Sequence, residues 1–119
     1  MLKKKYRLKS NSAFNATYKI NNFVCDENMF VYLGKEKTDL SVPTKAGFVV
    51  SKKIHKRAVK RNRIKRLMRE AYRLMLKNGE NSFIEQRLSI IFVGRKGALN
   101  SDFKGIKSSL DLLLKKLNK

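Results

Sequence analysis

Apolar positions along the chain recur every two residues in some segments and every three to four in others, and each period predicts an element. Ser10 and Asn11 are good helix N-cap residues. Phe14 and Tyr18, four apart, share one face of the short helix that starts there. Met29 to Leu33 predicts a strand, and Val24 marks a further short one, so two or three strands precede the middle of the chain. Gly34 to Lys45 is polar and carries the single proline, Pro43, which predicts a connection between strands. A strand over Ala46 to Ser51 puts Phe48 and Val50 on one face and Val49 on the other.

A long helix is predicted over Ala58 to Lys77. At roughly 100° per residue, Ile64, Leu67, Met68, Ala71 and Met75 form one apolar stripe. Asn62, Lys65, Arg66, Arg69 and Arg73 fall opposite, within roughly 100° of arc. Tyr72 flanks the stripe and is read as packing. Asn78-Gly79 is a stop signal. Leu88 to Val93 reads as a strand buried on both faces, ended by Gly94-Arg95-Lys96-Gly97. A last helix over Ser101 to Leu117 has Phe103, Ile106, Leu110, Leu113, Leu114 and Leu117 as its core face. The expected order is αβββαβα. The fold class is α+β, one domain over residues 1–119, with helices packed on a small mixed sheet.

Charge changes the picture. The 119 residues hold 29 Lys and Arg against 9 Asp and Glu, a net +20. Such self-repulsion opposes compaction unless a polyanion compensates it. Neutralised phosphates release counterions, so the direct reading is a nucleic-acid partner. A membrane is the rival polyanion, but no stretch approaches the ~20 apolar residues of a span. The basic start, Met1 to Arg7, is followed by no apolar run, so no signal peptide is expected. Cys25 is the single cysteine and makes no internal disulfide, which suits a reducing cytoplasm. His55 is the single histidine, and its distance from Cys25 is not zinc-ligand spacing. It reads as an exposed loop residue.

Between Lys52 and Arg73 stand eleven Lys or Arg and one acid, Glu70. Like charges four apart on a helix repel, as Lys65 and Arg69 do, and Arg69 and Arg73. A solvated face normally mixes signs. A phosphate backbone laid along the face gives the array a reason, and arginine's planar fork suits phosphate oxygens. No pair among the scattered acids is placed as metal ligands or as acid and base. Cys25 and Ser51 have no histidine nearby in sequence to activate them. Protein-borne catalysis is therefore not expected.

The string Arg57-Ala58-Val59-Lys60-Arg61-Asn62-Arg63-Ile64-Lys65-Arg66-Leu67-Met68-Arg69-Glu70 resembles the Arg-Asn-Arg signature of the bacterial ribonuclease P protein family. The preceding Ser51-Lys52-Lys53, the opening Arg7-Leu8-Lys9 with Phe14, the strand Phe30-Val31-Tyr32 and the turn Val93-Gly94-Arg95-Lys96-Gly97-Ala98 are similar to that family in the same order. Ile54-His55-Lys56-Arg57 departs from it, so His55 inherits no role.

The resemblance implies a ribosomal-protein-like α/β sandwich with a left-handed βαβ crossover, against the usual right-handed rule. It implies two partners, the catalytic RNA of ribonuclease P and precursor tRNA, with neither membrane nor DNA. Contacts to the catalytic RNA would come from Arg57, Lys60, Arg61, Asn62, Arg63, Lys65, Arg66, Arg69 and Arg73. A cleft with Phe14, Tyr18 and Tyr32, edged by Ser51, Lys52 and Lys53, would hold the single-stranded 5′ leader. Aromatic rings stack on bases with little sequence preference. The RNA subunit would bind Mg²⁺ and hydrolyse the phosphodiester, with no cofactor on the protein. Two other readings fit the composition: a ribosomal protein or RNA chaperone without a role in cleavage, and a DNA-binding protein with its central helix in the major groove. The second lacks the spacing of a helix-turn-helix, and the ordered motif match favours ribonuclease P over the first.

Overall fold

The computed structural model describes residues 3–118. The elements run α1 (Asn11–Ile20), β1 (Asn22–Cys25), β2 (Met29–Leu33), β3 (Lys45–Val49), α2 (Ala58–Lys77), β4 (Ser89–Gly94) and α3 (Phe103–Leu117). Three short 3₁₀ helices, Lys4–Tyr6, Ser82–Gln86 and Lys96–Asn100, lie before α1 and on either side of β4. This is the expected αβββαβα order. The sheet is mixed, in the order β1-β2-β4-β3. Its one parallel pair is β3 with β4, and the chain crosses between them through α2.

Local chemistry sets the element ends. Ser10 accepts the Ala13 N–H at 3.3 Å and starts α1. Asn21 ends it in the left-handed region, at φ 57°, which asparagine tolerates well. Asp26 accepts the N–H groups of Asn28 and Met29 at 2.8 and 3.0 Å, forming the turn between β1 and β2. Gly79 ends α2 at φ 69°. Asp102 caps α3 through the Gly105 N–H at 2.8 Å.

Strand alternation then divides the sheet into two faces. Met29, Val31, Leu33, Ile90 and Phe92 are buried in one core with Ile64, Met68, Ala71 and Met75 of α2 and Ile106, Leu110, Leu113 and Leu114 of α3. The Phe48 and Phe92 rings stack at 5.3 Å, and Tyr72 packs against both. Burial pushes the Tyr72 phenol well above its ordinary range. Ile91 is also fully buried, on the opposite face, where α1 packs against β2 and β4.

Two expectations about the core are corrected. Phe103 is 37% exposed. It is the first residue of α3, and side chains lean toward a helix's N-terminus, so the ring projects past the end of the buried face. Leu88 is 42% exposed and precedes β4, at the rim of the sheet.

The β1–β2 turn is clamped from the far end of the chain. Arg95 N–H donates to the Asn28 carbonyl at 2.9 Å, and Gly97 N–H to the Glu27 carbonyl at 3.1 Å. The buried Asn28 amide donates to Ser109 of α3 at 2.7 Å. A Cβ on Gly97 would run into the Glu27 carbonyl oxygen, a backbone atom with little room to yield. Replacing Gly97 by Ala should therefore lower stability by about 1–3 kcal/mol, the usual cost of overpacking. Urea unfolding of the two proteins measures it; equal midpoints would show that the turn and the 3₁₀ helix are not held together.

Candidate nucleic-acid interface

The second sheet face carries Phe23, Phe30 and Tyr32. Tyr32 is flanked by Phe23 of β1 and Ile91 of β4, and Phe30 by Cys25 and Val93. Val93 in turn lies beside Val49 of β3. Helix α1 covers only part of this face. Phe14 rests where a Cβ on Gly47 would come within 2.6 Å of its ring, so this close approach needs glycine. Thr17 is buried, donating to the Ala13 carbonyl at 2.9 Å and sharing a hydrogen bond with Ser89. Val49, Val93, Phe30 and Tyr32 are left half-buried, as the floor of a shallow shelf beside the helix.

The rings along the shelf touch in sequence. Phe14 is 6.5 Å from Tyr18, which meets Tyr32 edge-on at 4.8 Å. Tyr32 stacks on Phe23 at 5.1 Å, and Phe30 lies 6.1 Å from each of these two. The Arg95 guanidinium sits 4.7 Å above the Phe30 ring and donates to the Asp26 carbonyl at 2.7 Å. Desolvation, and then the neighbouring Tyr32, raise the Tyr18 phenol above its ordinary value, so it is neutral at physiological pH. Ser51, Lys52 and Lys53 are exposed at the β3 end of the shelf. Ser51 holds the turn there, accepting the Lys53 N–H at 2.9 Å and the Ile54 N–H at 3.0 Å.

The structure thus brings Phe14, Tyr18 and Tyr32 together, with Ser51, Lys52 and Lys53 at one end. Sequence reasoning gave no site role to Phe23, Phe30, Val49, Val93 or Arg95. A signal existed for Phe30 alone, in the alternation of β2, in which aliphatic Met29, Val31 and Leu33 face one way and aromatic Phe30 and Tyr32 the other.

The second surface is α2. Asn62, Arg66 and Arg73 are exposed on the side away from the core, and Arg57 and Lys60 at the first turn. No acid stands in that turn, so these cations face the positive end of the helix dipole. Lys65 is half-buried, as is Arg69, whose guanidinium lies 5.7 Å over the Phe48 ring. Arg73 pairs with Glu70 at 2.9 Å, which holds the Glu70 carboxyl below its ordinary range. Arg61 is half-buried, and its Nε is buried without a partner among the described residues.

Arg63 does not share the outer face with the others. It sits about 100° beyond Asn62 around the helix, and its Nη2 donates to the Ser101 carbonyl at 3.0 Å. This arginine ties α2 to the start of α3. His55 is half-buried rather than exposed, and its Nδ1 accepts the Arg57 N–H at 3.1 Å, just before α2. Among the described residues no group of three or more His, Cys, Asp or Glu is placed to hold a metal ion. No described helix is long and apolar enough to cross a membrane.

Comparison with known proteins gives one consistent result. A family model described as Ribonuclease P matches residues 2–118. The chain is 34% identical over 112 residues to a ribonuclease P protein component of Alkaliphilus oremlandii, covering 94% of this chain and 90% of the relative. It is 37% identical over 116 residues to one of Caldanaerobacter subterraneus subsp. tengcongensis, covering 98% and 92%. Among solved structures, the ribonuclease P protein of Staphylococcus aureus superposes with a TM-score of 0.74 at 32% identity, covering 95% of each chain. That of Thermotoga maritima gives 0.71 at 26%, covering 92% of this chain and 96% of that one.

The chain has no tryptophan, so its four tyrosines carry its intrinsic fluorescence. Tyr72 is buried and cannot meet a ligand. A single-stranded oligoribonucleotide stacking on the shelf should quench Tyr18 and Tyr32, and replacing both by Phe should remove most of the quenching while binding persists. Undiminished quenching in that variant would put the strand elsewhere.

Proposed function

The chain belongs to the ribonuclease P protein family, whose members are protein components of an endoribonuclease ribonucleoprotein, and from that premise we propose that it grips two RNAs on two surfaces. The outer face of α2 docks on the catalytic RNA. The aromatic shelf holds the single-stranded 5′ leader of precursor tRNA while the RNA subunit removes it. The observation that carries this reading is the pairing of a helix whose outer face is strongly basic with an aromatic shelf, joined by the turn from Ser51 to Arg57.

Each surface has its own chemistry. Asn62, Lys65, Arg66 and Arg69, with Arg57 and Lys60, contact phosphates and fix register without reading sequence. Phe14, Tyr18 and Tyr32 stack on leader bases, worth about 1–3 kcal/mol per base and tolerant of sequence. Ser51, Lys52 and Lys53 bind leader phosphates at the edge. Only the precursor has those nucleotides, so the shelf lets the particle prefer substrate over product. The protein's part is positioning and screening, and the hydrolysis with its Mg²⁺ belongs to the RNA subunit. The site of action is the cytoplasm, with one RNA-binding domain and no protein-bound cofactor. The DNA reading loses ground because the element before α2 is a strand and not a helix.

A cleavage assay tests the proposal. The protein, mixed with a bacterial ribonuclease P RNA and a precursor tRNA at low Mg²⁺, should stimulate removal of the 5′ leader, because its cations take over screening from the metal. Absence of stimulation would favour an RNA chaperone. Replacing Arg66 and Arg69 together by Ala should make the plot of log affinity for the RNA against log salt less steep, by roughly one unit per lost phosphate contact. Replacing Arg63 by Ala should leave that slope unchanged and lower the melting temperature. Identical slopes for all three proteins would mean that Arg66 and Arg69 touch no phosphate.

A further inference from the structure

We propose that Phe23 is an additional stacking platform, at the β1 end of the shelf, for a leader nucleotide upstream of those held by Tyr18 and Tyr32. The inference rests on the leader-binding reading and extends that site by one ring. Phe23 is 41% exposed, in a strand whose other apolar side chain, Val24, packs against the core. Stacking on Tyr32 at 5.1 Å and 29° covers one face of the ring and leaves it oriented by a neighbour. Phe30 is also on the shelf, but the Arg95 guanidinium already lies over it, held by the Asp26 carbonyl. Phe23 therefore, and not Phe30, offers a large free ring face at this end. Exposing it to water is unfavourable, and a base removes that exposure.

The order of contacts follows from the sheet. Ser51, Lys52 and Lys53 leave the end of β3 and lead into α2, whose outer face docks the catalytic RNA. The scissile bond is handled by that RNA, so the leader starts at the β3 edge. It crosses the sheet diagonally. Ser51 lies beyond the row of Val49, Val93, Phe30 and Cys25, which α1 leaves partly uncovered, while Tyr32 and Phe23 stand in the next row, with Gly47 and Ile91. The component across the strands alone is about 14 Å at the usual strand spacing. The rings it meets run from Tyr18 and Tyr32 to Phe23, beside the edge of the sheet. A phenyl ring has no hydrogen-bonding group, so any base is accepted, with purines stacking best because of their area.

The test uses the reconstituted ribonucleoprotein with precursor tRNAs whose leaders lengthen one nucleotide at a time. Wild type, Phe23→Ala, Phe23→Trp and Tyr32→Ala proteins are compared by precursor affinity. For short leaders Phe23→Ala should match wild type. Beyond a threshold length it should bind about five-fold or more weakly, and Phe23→Trp should restore the gain. Tyr32→Ala should already lose affinity below that threshold. If Phe23→Ala follows wild type at every length while Tyr32→Ala loses affinity, the platform is refuted and the leader-binding reading stands. If Tyr32→Ala also matches wild type at every length, both fail. If Phe23→Ala weakens mature tRNA binding as much as precursor binding, or melts earlier than wild type by the margin of a core variant, the ring is packing and the platform is refuted.

Discussion

The structure depends on how α2 is pinned. Ile64, Met68, Ala71 and Met75 are fully buried, and Tyr72 wedges against the Phe48–Phe92 stack. A helix with one apolar stripe has no rotational choice once that stripe is buried. Removing a side chain such as Phe92 from this core would cost roughly 3–5 kcal/mol, whereas each repelling pair on the outer face costs only tenths. Packing therefore wins, and Asn62, Arg66 and Arg73 are held outward whether or not an anion is present.

Few acids answer those cations within the fold. The described ion pairs are Arg73 with Glu70, and Lys107 with Glu80 and Asp111. Only the first lies on α2, and exposed pairs of this kind contribute about 0–1 kcal/mol. The chain's stability therefore comes from the apolar core, while its electrostatics oppose compaction. A polyanion on α2 reverses the sign of that term without moving the helix. This is the physical content of an RNA partner for this family member: the protein is built to be electrostatically incomplete.

Much of the fold was legible because local signals agreed with tertiary packing. The predicted bounds of α2, Ala58–Lys77, and of β2, Met29–Leu33, are those observed. The two-face reading of Phe48, Val49 and Val50 also holds, with Phe48 and Val50 against the core and Val49 on the shelf. What was not legible depended on register and on helix ends. Phe23 becomes a neighbour of Tyr32 only through the β1–β2 pairing, which no single-strand pattern specifies. Arg63 looked like one more cation of the array, but the Ser101 carbonyl that claims it lies 38 residues away. Phe103 matched the period of α3, and failed because periodicity does not say where cover by the neighbouring layer stops.

The link between the two surfaces is the segment from Val50 to Arg57, and its anchoring bears on how the particle would work. Val50 is buried beside Gly94, Ile54 packs against the core, and Ser51 and His55 hold the local backbone through the N–H groups of Lys53, Ile54 and Arg57. A connection tied at these points cannot lengthen freely. The distance from the first turn of α2 to the shelf is therefore set by the fold and not by the RNA. On the proposed reading, two RNAs bound to these surfaces would be held at a fixed separation, which is what positioning requires. Affinity from α2 then adds to affinity from the shelf as an intramolecular gain. On that reading the shelf would not need to bind strongly alone: a few stacked bases would suffice once the helix had brought the substrate-bearing RNA within reach.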